Sequence, residues 1–284
     1  MSISIALLLK LQLMPDYLGY LLLTGGTLIA LLGFADDHMA LSAKIRLFVH
    51  LITAIGVVLI LSSKLSSDFQ VEVLHLKIPL ALAVVFATLY MVWMINLYNF
   101  MDGIDGIASS QCASVAGVLA VFSFISGSTG LGLAYALLFV TSLGFIVLNW
   151  QPAKIFMGDV GSGYLGFCFA LLCLWGEITG RIFWITSTIL MGVFMVDATY
   201  TLCQRAFRKQ RIFRAHCDHA YQKAVRLGWS HSQVSKAVIL INFLWLTPFA
   251  WISLCYPSYS LVMLGIAYLP LVIIAWRLRA GVPS

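Results

Sequence analysis

The chain has 284 residues, 61% of them hydrophobic and only 10% charged, and its seventeen Lys and Arg outweigh eleven Asp and Glu to give a formal net charge of +6. Apolar stretches of about 18 residues or more recur, the length that crosses a bilayer, and they are apolar all round rather than along one face, which excludes a soluble globular core. A basic excess in such a chain speaks of membrane orientation and anionic lipid, and without any aromatic-basic pattern a nucleic-acid partner is excluded.

In chain order, the start MSISIALLLKLQL carries one late basic residue and no small-residue cleavage site, so it reads as part of a membrane helix and not as a signal peptide. After this partial span, nine full spans are expected at roughly 17–35, 44–63, 78–97, 106–126, 130–149, 161–177, 182–203, 236–255 and 258–276. The fold class expected is all-α, a polytopic membrane helical bundle forming one domain over residues 1–284, with a basic, histidine-bearing cytoplasmic loop at 204–235. Within 64–77, the alternation of FQVEVLHLKI suggests a short hairpin or an interfacial strand. The connections GSTG, GEITGR and YPSYS read as turns. Cys112, Cys168, Cys173, Cys203, Cys217 and Cys255 form no CxxC pair and read as packing residues.

Alternation of these spans puts 13 of the 17 basic residues on one side, the exceptions being Lys10, Lys64, Lys77 and Arg181. The positive-inside rule makes that side cytoplasmic. Asp36, Asp37, Asp102, Asp105, Asp159 and Asp218 fall on the same face. A charge at membrane depth costs about 2.5 to 3.5 kcal/mol on insertion scales, so carboxylates at this boundary point to an ion, a proton path or a substrate.

Four stretches carry these groups. GFADDHMALSAKIRL (33–47) joins two spans through paired aspartates, where a single helix cap would need only one. NLYNFMDGIDG (96–106) repeats Asn96, Asn99, Asp102 and Asp105 every third residue, a polar stripe if the helix continues. Its plainer reading is a glycine-punctuated turn with solvated aspartates. NWQPAKIFMGDVGSGYLGF (149–167) adds Asn149, Lys154 and Asp159, the last between glycines, where a metal ligand explains it better than a cap. Oxygen-only ligands favour Mg²⁺ or Mn²⁺ over zinc. The loop RAFRKQRIFRAHCDHAYQKAVRLGWSHSQ (205–233) contains HCDH, read as phosphate-directed donors with Arg214, while His50, His75 and His231 read as structural. Asp197 lies about two turns inside a span and is expected to face the bundle interior near the cytoplasmic side.

In this order, the four motifs resemble the polyprenyl-phosphate N-acetylhexosamine-1-phosphate transferase family, over about residues 33–220. HCDHAYQ looks most like its O-antigen-initiating or capsule-initiating branch. The resemblance implies transfer of a sugar-1-phosphate from a UDP-N-acetyl sugar to a polyprenyl phosphate such as undecaprenyl phosphate, with Mg²⁺ or Mn²⁺ as cofactor. It implies Asn99 and Asp159 as metal ligands, and a catalytic set of Asp36, Asp37, Asp102 and Asp105 in which Asp105 contacts the nucleotide. Lys44, Asn96, Asn149, Lys154, Asp197, Arg214, His216 and His219 would bind substrate. The setting implied is a bacterial inner membrane with the site on its cytoplasmic face, and a homodimer is compatible with it. Whether Asp36 or Asp37 deprotonates the acceptor phosphate, or an aspartate attacks covalently, stays open. The family's usual first span and PxPRGG-like loop have no counterpart before Asp36, so a catalytically silent truncated homologue is one alternative. A transporter is the other, although its site should lie at the bilayer midplane between repeats.

Overall fold

A computed structural model describes residues 12, 14–63, 71–73, 76–211 and 216–283; the expected amino-terminal partial span and Arg214 lie outside the described residues. The architecture is that of an all-helical polytopic membrane protein. Among the described residues, eight helices are long and apolar enough to cross a membrane, and a bent pair makes a ninth if it counts as one. The first six are α1 (Asp16–Met39), α2 (Ala43–Ser62), α3 (Leu80–Phe100), α4 (Ile107–Ile125), α5 (Thr129–Asn149) and α6 (Gly158–Ile178). The bent pair is α7 (Trp184–Leu190) and α8 (Gly192–Phe207). After the short α9 (Ala220–Arg226), one long helix comprises α10 (His231–Leu240), a π-helical turn (Ile241–Leu246) and α11 (Thr247–Cys255), and α12 (Ser260–Arg277) follows. Between α2 and α3, β1 (Val71–Val73) pairs antiparallel with β2 (Leu76–Ile78), with Val71 opposite Ile78, so the segment read from its alternation forms a hairpin.

Two spans depart from the expected continuous helices. The stretch expected at 182–203 bends by 81° between α7 and α8. One turn before the bend, the Thr188 carbonyl accepts a hydrogen bond from the Tyr268 hydroxyl at 2.5 Å. A side chain entering the carbonyl ladder is a known cause of kinks. In the long helix, Pro248 has no N–H for the Leu244 carbonyl, and the Thr247 N–H reaches five residues back to Asn242. The Thr247 hydroxyl joins the same carbonyl at 2.8 Å.

The chain divides into two compact units. The first holds the described residues up to Asn99 together with Ser123–Leu137 and Met157–Trp184. Its helices approach through glycine, as membrane helices do when no hydrophobic drive separates them from lipid. A Cβ on Gly33 of α1 would lie 2.5 Å from the backbone of Asp159 and Val160 at the start of α6. On Gly166 of α6 it would strike the Met94 carbonyl of α3 and lie 2.8 Å from the Ile95 Cα. These two notches bring the ends of α1, α3 and α6 together, and buried Tyr98, Phe167 and Phe169 fill the space beneath, with Tyr98 stacked on Phe169 at 5.5 Å.

The second unit holds Phe100–Phe122, Leu138–Phe156 and the chain from Ile185 onward. Its interior combines apolar residues such as Ile107 and Phe194 with a polar clasp. Buried Asn242 donates to Gln111 Oε1 at 2.8 Å and to Ser114 Oγ at 2.7 Å, tying the π-helical turn to α4. Such interhelical hydrogen bonds contribute about 0.6 kcal/mol each on average within membranes.

Candidate functional site

In the first unit, α1 ends at Met39 because Ala40 turns left-handed (φ 48°, ψ 63°), and Ser42 caps α2 by accepting from the Ile45 N–H at 3.4 Å. This tight link folds Arg46 back over Asp36. One Asp36 oxygen accepts from the Leu41 N–H at 2.7 Å and the other from Arg46 Nη1 at 2.6 Å. The same Nη1 lies 3.2 Å from Asp159 Oδ2. Asp37 is exposed, and its Oδ1 accepts from the Asp159 N–H at 3.1 Å. Gly158 permits that approach: it has φ +64°, and a Cβ there would lie 2.8 Å from Asp37 Oδ2. Asp159 also occupies the first turn of α6, where the helix dipole favours an anion. Asn99 donates to Ser162 Oγ at 3.3 Å and lies beside the Asp159 carboxyl.

Asp36, Asp37, Asn99 and Asp159 are thus neighbours drawn from three helices. They differ in availability, because both Asp36 oxygens are engaged while Asp37 stays open at the surface. Arg46, in sequence no more than one of the basic residues of this face, bridges two of these carboxylates. Asn96 was expected to bind substrate, yet its amide nitrogen is shared between His50 Nδ1 at 3.2 Å and the Val92 carbonyl at 2.7 Å. Lys44 is exposed at the start of α2.

Among the described residues no three His, Cys, Asp or Glu side chains form a ready metal cage. The donors present are all oxygens, with the Asn99 amide oxygen and the Asp159 and Asp37 carboxylates in one neighbourhood. An incomplete oxygen set fits Mg²⁺, which keeps several waters and takes one or two carboxylates plus substrate phosphates.

In the second unit, the turn at 101–106 is held from two sides. Asp105 accepts from the Ala153 N–H through Oδ2 at 3.2 Å, and its N–H donates to His231 Nδ1 at 3.3 Å. Asn149, another expected substrate ligand, is 3% exposed. Its Oδ1 accepts from the Gly106 N–H and Ser109 Oγ at 3.2 and 2.9 Å, and its Nδ2 donates to the Ile155 carbonyl at 3.0 Å. Its hydrogen-bonding capacity goes into closing the turn. Lys154 is exposed.

The histidine segment is fixed by Asp197 from within the bundle. Asp197 Oδ1 accepts from the Ala220 N–H at 2.8 Å, His219 Nδ1 at 3.3 Å and Thr201 Oγ1 at 3.1 Å, and Oδ2 accepts from the Tyr221 N–H at 3.0 Å. Asp197 therefore satisfies first-turn donors of α9 that would otherwise be orphaned. It faces the interior as expected, but as a cap. Buried Arg205 pairs with Asp218, and Lys223 donates to the Val282 carbonyl at 2.7 Å while lying 3.7 Å from Asp218. Two cations of the basic loop are thus turned inward.

His216 and His219 stack with ring centroids 5.0 Å apart. His219 is 2% exposed and bonded to Asp197, so only half-buried His216 has reach toward a ligand. Burial first, then the neighbouring His219 and Arg205, push the His216 pKa down to about 4. At neutral pH His216 is an uncharged hydrogen-bonding group. A second anchor is Tyr221, whose hydroxyl donates to the Phe100 carbonyl at 3.1 Å and meets the space a Cβ on Gly103 would occupy. Burial, then Asp197 and Asp102 nearby, raise the Tyr221 pKa and keep the hydroxyl a donor.

Gly103→Ala should therefore destabilise the protein by about 1–3 kcal/mol through overpacking, and Tyr221→Phe alone by about 1 kcal/mol for the lost hydrogen bond. Combined, they should cost less than their sum, because the second removes the atom the first would strike. Thermal unfolding in detergent of both singles and the double reads the coupling; strictly additive losses would mean the contact is not made.

The fold and these groups define a polytopic membrane protein with carboxylates and amides gathered at helix ends rather than mid-span. Residues 20–177, more than half of the chain, match glycosyl transferase family 4, and the chain belongs to that family. It is similar to the probable undecaprenyl-phosphate N-acetylglucosaminyl 1-phosphate transferase of Bacillus subtilis (strain 168), 32% identical over 225 residues covering 78% of this chain and 62% of that protein. It is also similar to the phospho-N-acetylmuramoyl-pentapeptide-transferases of Methylacidiphilum infernorum (isolate V4), 30% identical over 75% of this chain, and of Staphylococcus aureus (strain JH9), 28% identical over 72%. The match covers 66% of each of those two proteins.

Proposed function

We propose that the protein transfers a sugar-1-phosphate, of the N-acetylhexosamine type, from a UDP-sugar to undecaprenyl or another polyprenyl phosphate in the bacterial inner membrane. A phosphate oxygen of the lipid attacks the β-phosphorus of the UDP-sugar, the bond from that phosphorus to the bridging oxygen breaks, and UMP leaves. The observation that carries this reading is the meeting of Asp36, Asp37, Asn99 and Asp159 from three helices. Family membership and the two named kinds of relative support it.

Both reactants are anions, so positioning and charge neutralisation govern the rate. Asn99 and Asp159, with Asp37 adjacent, would hold Mg²⁺, which when bound neutralises diphosphate charge. Asp37, exposed and with one oxygen uncommitted to the Asp159 amide, is the better placed of the paired aspartates to take the acceptor proton. Asp36 holds Arg46. Arg46 supplies positive charge beside the carboxylates, and exposed Lys44 would add charge for an incoming phosphate. In the second unit, Asp105 and Asp102 would contact the nucleotide, and His216 would donate to a phosphate as a neutral group. Asn96, Asn149 and Asp197 serve as framework. The chemistry takes place on the cytoplasmic face, supported by the positive-inside bias of the sequence. Within this family of reactions, HCDHAYQ favours the start of O-antigen or related envelope polysaccharide synthesis.

The test is release of UMP from a panel of UDP-N-acetyl sugars by the purified protein with undecaprenyl phosphate and Mg²⁺. Turnover that needs lipid, sugar nucleotide and metal together supports the reading. A properly folded protein that releases no UMP from any member of the panel would sink it.

A further inference from the structure

His231 reads as structural in the sequence, and the proposed reaction does not use it. It stands at the first position of α10, which Ser230 caps by accepting from the Gln233 N–H at 3.2 Å. From there α10 holds Asp105 at two points. The Asp105 N–H donates to His231 Nδ1 at 3.3 Å, and one turn later Ser235 Oγ donates to the Asp105 carbonyl at 3.0 Å. The Ser232 N–H donates to Gln151 Oε1 at 2.8 Å, which ties the same helical turn to the loop that caps the Asp105 carboxylate through Ala153. The N–H and the C=O of Asp105, in the two peptide groups that flank its Cα, are gripped by residues four apart on one helix, which fixes the position and orientation of that residue.

We infer that His231 is a positioning residue for nucleotide recognition: it orients Asp105, through its main chain, toward the UDP part of the substrate. Asp105 needs such a support because it sits in a turn, where the chain's own helical hydrogen bonds have ended. The ring does the work as an acceptor at Nδ1, so the neutral ring carries its proton on Nε2. The His231 side chain is 34% exposed and that of Asp105 is 15% exposed, so the pair lies at an accessible edge of the unit and not in its sealed interior. Asp105 Oδ1 lies 3.5 Å from the same Nδ1, longer than a normal hydrogen bond, so the ring's grip is on the main chain and not on the carboxylate.

The inference rests on the proposed transfer reaction, and the experiment separates the two. His231→Ala removes the acceptor. His231→Asn puts an amide oxygen close to the place of Nδ1 and so restores it, whereas any role for the ring's Nε2–H is lost in both variants. Full-length wild type and both variants are compared in detergent for binding of UDP alone by calorimetry, for KM and kcat with UDP-N-acetylglucosamine and undecaprenyl phosphate, and for hydrogen exchange of the peptide containing Asp105.

His231→Ala should weaken UDP binding and raise KM for the sugar nucleotide about tenfold with a much smaller change in kcat, the pattern of lost uniform binding. Exchange around Asp105 should speed up in the same variant. His231→Asn should recover most of all three. Equal losses in both variants would overturn the inference in favour of a direct contact from Nε2–H, and unchanged affinity in His231→Ala would overturn it outright. If the wild type neither binds UDP nor releases UMP, the transfer reading fails. Unchanged exchange at Asp105 in His231→Ala then overturns the positioning role as well, while faster exchange rescued by His231→Asn retains the grip on Asp105 and removes its link to a nucleotide.

Discussion

Replacing Asp197 with alanine is expected to free the histidine segment and lower transfer by at least about a hundredfold, roughly 2.7 kcal/mol of lost transition-state stabilisation. The carboxylate takes two backbone N–H groups, a ring N–H and a hydroxyl in a buried position. Each donor left unsatisfied costs about 1–3 kcal/mol, and α9 is too short to hold its start without a partner. Hydrogen exchange of residues 216–226 should rise sharply in Asp197→Ala, while α4 in the same unit keeps its protection. Asp197→Asn keeps one accepting oxygen and should fall between the two. If protection survives in Asp197→Ala and nucleotide affinity is what disappears, Asp197 is a substrate ligand, as its sequence context suggested, and not a cap.

Asp159→Asn is expected to reduce turnover by on the order of 10²–10³, the usual loss when a single preorganised electrostatic partner goes. The substitution keeps the side chain's shape and leaves the N–H that Asp37 accepts. It removes one negative charge beside Asn99, Asp36 and Arg46. The Mg²⁺ concentration for half-maximal UMP release should rise in parallel, since a hard cation prefers a carboxylate to an amide. Full turnover with an unaltered Mg²⁺ dependence would take Asp159 out of the metal site.

Much of this molecule is legible in its sequence because lipid imposes a simple rule: backbone groups must be satisfied within each span, so long apolar runs become helices. The hairpin at 71–78 followed from alternation, and Asp36, Asp37 and Asp159 meet because glycines at 33 and 158 allow it. What stayed hidden depends on partners distant in sequence. The bend between α7 and α8 comes in a stretch whose hydropathy runs on unbroken, and the Tyr268 hydroxyl beside it arrives from eighty residues away. Asn149 and Asp197 look like ligands because polar residues in apolar runs are rare, yet the groups they satisfy are turn and helix-start amides that spacing does not reveal. His231 shows the reverse, an ordinary-looking residue whose partner is 126 positions earlier. Repetition of Asn96, Asn99, Asp102 and Asp105 every third residue suggested one stripe, but the helix stops at Phe100 and the aspartates belong to the turn after it.

The close seat of Gly33 against Asp159 also bears on how the protein is made. α1 leaves the ribosome before α6, and the surface on α6 that receives it is not synthesised until more than a hundred residues later. At about 5–20 residues per second, that is a wait of several seconds or more in the membrane. During that interval α1 must be stable in lipid without α6, with its glycine notch unfilled. Assembly of the carboxylate cluster is therefore a late, post-insertion event. A substitution that fills the notch should leave every helix inserted, and still yield a protein whose first and sixth helices never dock.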